Sequence, residues 1–332
     1  MNPWILNSYR KDLFLILVPG FFVFIIFYLI SNSGDDQYLE YFSFFVFAII
    51  DSGHVYTTLW RTYFNKDERS QDKRYLYVPI GIFVVIFSWH SLQLPYLWSF
   101  LFYTTIYHHL RQYYGVLKWY EKKSQSFSIY SGRILYVLCA LPMIASHFRS
   151  NLTMHFYTAN DFLSYPDPFL LLVTGSLHFI LFFIWLGYEL YCYKNKTFNK
   201  NRFFALLIPI TLYSLVSYLA KDTAEVLMPL IIAHGIPYIA MMTIAMKRGQ
   251  SDQYKSYKKI IILLVSTAIF FGCLEFSFER YGIDLDDKYI LISPKTWESL
   301  LVGLYLIPVL CHFYFDSIIW RRNHRESDQI FN

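Results

Sequence analysis

The chain has 332 residues, of which 55% are hydrophobic and only 16% are charged. Soluble domains carry about 25% charged residues, so this composition excludes a soluble protein with a water-facing surface of ordinary polarity. The net charge of +5 comes from cations that flank apolar segments, where lipid head groups and membrane topology account for them. We therefore expect the lipid bilayer, and no nucleic acid, as a partner.

Apolar runs of roughly 17 to 25 residues recur along the whole chain, and each is long enough to cross the ~30 Å hydrocarbon layer as a helix. Helices satisfy their own backbone hydrogen bonds in lipid, so the runs predict an all-α polytopic transmembrane bundle of about ten helices. We expect one transmembrane domain over residues 1–332. The predicted spans 1 to 10 cover residues 13–30, 41–60, 75–92, 96–117, 129–145, 169–193, 203–220, 226–246, 260–276 and 297–320.

Charge asymmetry between loops predicts the orientation of these spans. Most of the 29 lysines and arginines lie before span 1, after span 10 and in alternate loops, whereas the intervening loops carry acids such as Asp35, Asp161 and Asp284. Because positively charged loops stay in the cytoplasm, both termini are predicted to be cytoplasmic. The protein is then an integral membrane protein, of the inner membrane if its host is bacterial, and its even-numbered spans run from outside to inside.

Ionisable residues inside four of the even-numbered spans are the most informative feature of the sequence. A charge at the centre of a membrane helix costs at least ~2.5 kcal/mol, so such residues indicate a function. At ~1.5 Å rise per residue, the histidines of these spans lie roughly 10 to 20 Å above the cytoplasmic boundary, in one layer. The residues are Asp51 and His54 in span 2, His108 and His109 in span 4, His234 in span 8, and His312 and Asp316 in span 10.

Helical spacing predicts which of these side chains share a face. Asp51 with His54, and His312 with Asp316, are three or four residues apart and so point the same way. We expect all seven residues to converge in one buried pocket. Pro237, which lacks a backbone donor, is expected to kink span 8 beside His234.

The doubled histidine of span 4 gives two directions on one helix. His108 lies on the face of Arg111 and Gln112, whereas His109 points about 100° away, so the two rings can serve different metal ions. Arg111 and Gln112 are the expected catalytic residues, which orient the substrate beside the metal. Because a cation in the membrane needs a partner, we expect Asp51 or Asp316 beside Arg111.

Imidazole and carboxylate donors together suit iron, zinc or manganese, and nitrogen-rich sets with open positions are typical of non-haem iron that activates dioxygen. Seven donors exceed what one tetrahedral zinc needs, so we expect iron, with two ions as the fuller hypothesis. Asp51 and Asp316 are ligands or fix the histidine tautomers. The remaining histidines in membrane spans, His90 and His178, are interpreted as interhelical hydrogen-bonding residues.

The His108-His109 pair and the histidine-plus-acid helices resemble, in general plan, membrane non-haem iron enzymes such as fatty-acid desaturases, lipid hydroxylases and Brp/Blh-type carotene dioxygenases. The sequence departs from the HxxHH box of desaturases, because Thr105 stands at the place of its first histidine. The resemblance implies an oxidoreductase that acts on a lipid or isoprenoid and takes electrons from a donor.

Two other classes of function remain open at this stage. Intramembrane charges also mark proton- or ion-coupled transporters, in which Asp51, Arg111 and the histidines would form a relay around span 8. Histidines on facing helices at one depth also serve as axial ligands of a b-type haem. The transporter would be expected to show two related halves, and we find no such repeat in the sequence.

Overall fold

The computed structural model describes residues 4–33, 42, 44–65, 72–155, 161–249, 256–281 and 294–320. Helices dominate these residues, with one isolated β-bridge between Thr153 and Asp222. The α-helices of the described ranges, numbered here α1 to α11, are Tyr9–Asp12, Pro19–Ser33, Gly53–Thr57, Arg74–Ser91, Leu97–Lys123, Ser131–Ser146, Pro168–Lys194, Lys200–Leu219, Thr223–Gly249, Tyr257–Tyr281 and Pro294–Ile319.

Each predicted span contains helical structure, and the all-α prediction is confirmed. Five helices, α7 to α11, are long and apolar enough to cross a membrane. A pair bent by 52° raises the number to six if it counts as one span: Tyr9–Leu17, which is α1 with the π-helical stretch Leu13–Leu17, and Pro19–Leu29 of α2. Helix α6 is apolar but has only 16 residues. The membrane prediction is therefore confirmed in its coarse form, and the count of ten remains a prediction. The orientation also remains one, because residues 1–3, 282–293 and 321–332 lie outside the described ranges.

The chain divides into two compact units, each built from two stretches of sequence. The first unit comprises Met1–Ser43 and Trp98–Pro237, and the second comprises Phe44–Leu97 and Tyr238–Asn332. Helix α9 contributes its beginning to the first unit and its remainder to the second. It runs as one helix through Pro229 and Pro237, so the second proline does not interrupt it.

In the first unit, α6 packs against both α7 and α8. Side chains cap the first turns of α7 and α8 in the usual way. The Asp167 side chain accepts from the first free amides of α7, which has a proline at its first position, and Asn199 does the same for α8. A buried ion pair between Arg202 and Glu189, 3.1 Å apart, joins α8 to α7.

In the second unit, α11 packs along α4, while α10 packs against an irregular helix that corresponds to span 2. This helix is a π-helix over Phe45–Ser52, continues as α3 and ends in a 3-10 turn over Thr58–Trp60. Glycines permit its close approach to α10. A Cβ on Gly53 would lie 2.8 Å from the Ala268 carbonyl, and one on Gly272 would overlap the Ala48 carbonyl.

Candidate metal centre

The first unit brings three histidines together, which we call the first-unit group: His108, His109 and His234. All three are buried. The His234 ring lies 4.8 Å from the His108 ring and 4.5 Å from the His109 ring, measured between centroids. The sequence placed His108 and His109 on diverging faces of one helix, and their own rings are 6.3 Å apart. Both nevertheless contact the His234 ring, and whether they serve different ions stays a prediction.

Gln112 supports this group through the backbone rather than through a histidine ring. Its side-chain amide donates to the His234 carbonyl at 3.1 Å and so ties α5 to α9. That Gln112 orients the substrate beside the metal stays a prediction.

Arg111 lies on the outside of the first unit, and its side chain is exposed. Its guanidinium donates to the Tyr136 hydroxyl at 3.1 Å and lies 5.2 Å from the centre of the Tyr114 ring. We expected a carboxylate partner. A phenol oxygen and an aromatic face instead stabilise the cation here, because the negative face of the ring attracts it.

The second unit holds the second-unit group: His54, His312 and Asp316. The two imidazoles are almost fully buried, at 2% and 1% exposure, and their centroids lie 4.9 Å apart. The His312 Nε2 atom lies 3.7 Å from Asp316 Oδ2, which confirms the predicted pairing along α11. A ligand nitrogen of His54 lies within 4.8 Å of one of His312.

Hydrogen bonds indicate which ring nitrogen of each histidine is protonated. His54 Nδ1 lies 2.7 Å from the Ile50 carbonyl, which only accepts, so Nδ1 carries the proton and Nε2 the lone pair. His312 Nδ1 lies 2.7 Å from Thr58 Oγ1, and this hydroxyl lies 2.7 Å from the Tyr238 hydroxyl, which donates to Asp316 Oδ1 at 2.9 Å.

The direction of this chain follows from the protonation state of Asp316, because the Thr58 hydroxyl both donates and accepts and either nitrogen of a neutral imidazole can carry the proton. With an ionised Asp316, Tyr238 donates to the carboxylate, Thr58 donates to Tyr238, and His312 Nδ1 donates to Thr58. In that state the lone pair of His312 is on Nε2, the nitrogen that faces Asp316. Fixing of the tautomer by an outer hydrogen bond is typical of metal-binding histidines.

Thr58 and Tyr238 were not among the sequence candidates. Both were detectable in principle, because Thr58 follows His54 by four residues and Tyr238 follows His234 by four, which is one helical turn. Arg61, the residue after span 2, was not a sequence candidate either. It is 2% exposed, lies 4.4 Å from the Trp320 ring and donates to the Ile319 carbonyl.

Asp51 is half-buried in the π-helical stretch that precedes α3. The spacing rule that paired Asp51 with His54 assumes an α-helix and does not hold across a π-helix, whose hydrogen bonds span five residues. Single π-turns are frequent at functional sites. Asp51 therefore stays a candidate ligand or orienting residue because of the π-helix, and no longer because of its spacing from His54.

The residues predicted to have structural roles behave as expected. His90 Nδ1 lies 2.9 Å from the Ser299 hydroxyl, and His178 Nε2 lies 3.1 Å from that of Ser214. The four cysteines are unpaired, and three of them, Cys139, Cys192 and Cys311, are buried. Hydrogen bonding and packing account for these side chains.

The second-unit donors suit a metal ion. Two bonds of about 2.0–2.2 Å to one ion span at most about 4.3 Å, and the 3.7 Å between His312 Nε2 and Asp316 Oδ2 lies inside that limit. Two imidazoles and one carboxylate form the donor set of non-haem iron oxygenases. The first-unit group offers nitrogen alone, which suits zinc as well as iron.

Comparison with known proteins adds no assignment, since no protein family, curated protein or solved structure matches the chain.

Proposed function

We propose that this protein is a membrane-embedded, metal-dependent oxidoreductase that uses non-haem iron to oxidise an apolar lipid or isoprenoid with dioxygen. The observation that carries the proposal is the pair of buried imidazoles in the second unit, His54 and His312, whose ring centroids lie 4.9 Å apart, with Asp316 Oδ2 3.7 Å from His312 Nε2. Iron bound by such a set keeps open positions and supplies dioxygen activation.

Each residue of this set has a role that follows from its contacts. His54 and His312 present Nε2 to the ion, and Asp316 adds a negative oxygen that favours iron in this environment. The Tyr238 hydroxyl holds the other oxygen of Asp316, and Thr58 holds the far side of the His312 ring. Burial of both rings excludes water, which protects reactive species from side reactions.

The substrate class follows from the surroundings of the chain. An apolar molecule dissolved in the bilayer reaches a membrane-embedded site without crossing water, as a lipid or isoprenoid would. When one atom of dioxygen enters the substrate and the other leaves as water, the reaction needs two electrons and two protons beyond those of the substrate, so a separate electron donor is part of the proposal.

Two ions, one in each unit, remain part of the proposal. The candidate ligands of the first unit are the three buried imidazoles of the first-unit group, and those of the second unit are the buried imidazoles of His54 and His312 with the Asp316 carboxylate. That His108 and His109 serve different ions stays a prediction. If only the second unit takes iron, the first-unit group is a candidate for zinc.

Metal analysis of the purified full-length chain is the primary test. After iron-replete expression we expect one to two iron atoms per chain, no Soret band, and oxidation of an isoprenoid or fatty-acyl substrate when dioxygen and a reductant are supplied. Less than about one iron per chain, together with unchanged folding, would overturn the proposal.

A proton-coupled transporter is the second candidate, because the chain from His312 through Thr58 and Tyr238 to Asp316 is also a path along which protons can move. Proton uptake into liposomes by metal-free protein would favour it. The haem alternative has less support, since a macrocycle must lie between its axial rings and centroids 4.5 to 4.9 Å apart leave no room for one.

A further inference from the structure

An open groove of about 750 Å³ lies in the first unit, along the first half of α7. Its walls are apolar over most of their length, with Leu172, Gly175 and Phe179 from α7 and the Tyr218 ring from α8. This volume is within the range of about 300–1,000 Å³ that is usual for small-molecule sites.

Helix α7 is the most apolar of the membrane-span candidates and has the fewest protein neighbours. The mean hydropathy of its best window is 2.3, and only 11% of that window is buried. A surface this apolar cannot face water, so the bilayer covers it. The groove therefore opens towards lipid.

One end of the groove is polar. Arg149, which is 5% exposed, and Asn151 line this end, and the Arg149 guanidinium donates to the Asn151 side chain at 3.1 Å and to the Ser217 carbonyl at 2.7 Å. Burial lowers the pKa of Arg149, and the negative charge of Glu225 acts in the opposite direction. None of the described residues that line the groove is acidic, and Arg149 is the charged side chain among them, so this lining is cationic at its polar end.

The dimensions of the groove match one leaflet. Its α7 wall extends from Leu171 to Ile180, which is about 14 Å at ~1.5 Å per residue, and half of a ~30 Å hydrocarbon core is about 15 Å. The Asp167 amide, just before α7 begins, donates to the carbonyl of Phe148 at 3.0 Å, so Arg149, the next residue, lies at the end of the groove where α7 starts and where a head group would be. Within the groove, the buried Tyr218 hydroxyl has no hydrogen-bond partner in the described chain.

We propose that this groove is a binding site for one bilayer phospholipid with an anionic head group, whose phosphate contacts Arg149 and whose acyl chain lies against Gly175 and Tyr218. The site is separate from the proposed oxidation chemistry and does not depend on it. Its role would be to hold a single lipid of one leaflet against α7.

Native mass spectrometry of the delipidated full-length protein, titrated with phosphatidylglycerol or phosphatidylcholine, tests this. A cation near the membrane surface contributes about 1 kcal/mol to an anionic lipid, so we expect the first phosphatidylglycerol to bind about fivefold more tightly. Arg149→Gln should remove the preference, and Arg149→Lys should keep it. Equal binding of the two lipids by the unaltered protein would overturn the proposal.

A pair of glycines on α7 provides a matched control that leaves Arg149 in place. A Cβ on Gly175 would lie 3.8 Å from the Tyr218 hydroxyl, so Gly175→Phe projects a ring into the groove, whereas a Cβ on Gly187 meets nothing within 4 Å. We expect Gly175→Phe, but not Gly187→Phe, to lose the tight first lipid, with iron content unchanged in both. Equal retention of that lipid by the two variants would show that the groove does not hold it.

Discussion

The two units differ in how they prepare their histidines for a metal. In the second-unit group, His54 Nδ1 contacts the Ile50 carbonyl, His312 Nδ1 contacts the Thr58 hydroxyl, and His312 Nε2 lies 3.7 Å from Asp316. In the first-unit group, the rings of His109 and His234 are stacked at 19°, and the contact with Gln112 acts on the backbone. Under the proposed function we therefore expect the tighter metal site and the chemistry in the second unit.

Removal of a second-unit imidazole should give the largest effect. His312→Ala or His54→Ala deletes a ligand, and since loss of an outer partner alone costs 10–100-fold, we expect turnover to fall by more than about 100-fold. Iron content should fall by about one atom per chain. Metal analysis and a turnover assay on the same preparations measure both.

Matched variants separate loss of a ligand from loss of packing. His234→Ala should remove the first-unit ion and leave the second in place, whereas His178→Ala, which removes a ring bonded to Ser214, should leave both. If His178→Ala lowers iron content as much as His312→Ala does, then loss of any buried histidine lowers iron content through packing, and the proposed assignment of ligands is wrong.

Disruption of the outer hydrogen bond should have an intermediate effect. Thr58→Val keeps the shape of the side chain and removes the hydroxyl that directs His312, so the iron affinity of the second unit should weaken by about 10–100-fold. Thr58→Ser retains the hydroxyl and should remain close to the unaltered protein. Competition with a chelator measures the affinity directly, and equal affinities for the two variants would contradict the tautomer argument.

The helices themselves were largely predictable from the sequence, because the length of an apolar run decides whether it can span lipid. The π-helical start of span 2 was not predictable from the sequence. Hydropathy does not report backbone register, and the close approach of Gly53 and Gly272 to their neighbours depends on which helices pack together. The kink expected at Pro237 stays a prediction, because a helix can bend at a proline and still continue, as α9 does from Thr223 to Gly249.

The site was predictable where one helix carries both partners, as for His312 and Asp316. It was not predictable where partners come from distant stretches, as for Thr58 and Tyr238. Among 30 tyrosines, a hydroxyl one turn from a histidine carries little information by itself. Arg111 shows a second limit, because a cation in the membrane needs a partner but Tyr136 and Tyr114 serve as well as an acid.

A smaller change in metal affinity is expected from Gln112. Gln112→Met keeps the length of the side chain but removes its donor to the His234 carbonyl, a hydrogen bond of about 1 kcal/mol. The first-unit ion should bind about fivefold more weakly, while the second-unit ion is unaffected. Metal-specific competition in a His312→Ala background, where only the first-unit ion remains, measures this. A loss as large as that of His234→Ala would make Gln112 a primary determinant of the site.

The smallest effect on metal content is expected from Arg111, whose exposed guanidinium contacts tyrosines rather than any ligand. Arg111→Leu should leave iron content within about 20% of the unaltered protein. Arginine cannot ligate a metal, and the two side chains that Arg111 contacts are tyrosines rather than histidines of the first-unit group. Turnover should nevertheless fall, since a cation on the outer face of α5 would orient a polar substituent of an otherwise apolar substrate. A rise in KM with kcat retained would identify a binding role.

Tyr136→Phe, which removes the hydroxyl acceptor but keeps the cation and the ring, is the matched variant and should change KM less. If Arg111→Leu instead loses iron from the first unit, the arginine maintains the packing of α5, and the substrate role must be given up.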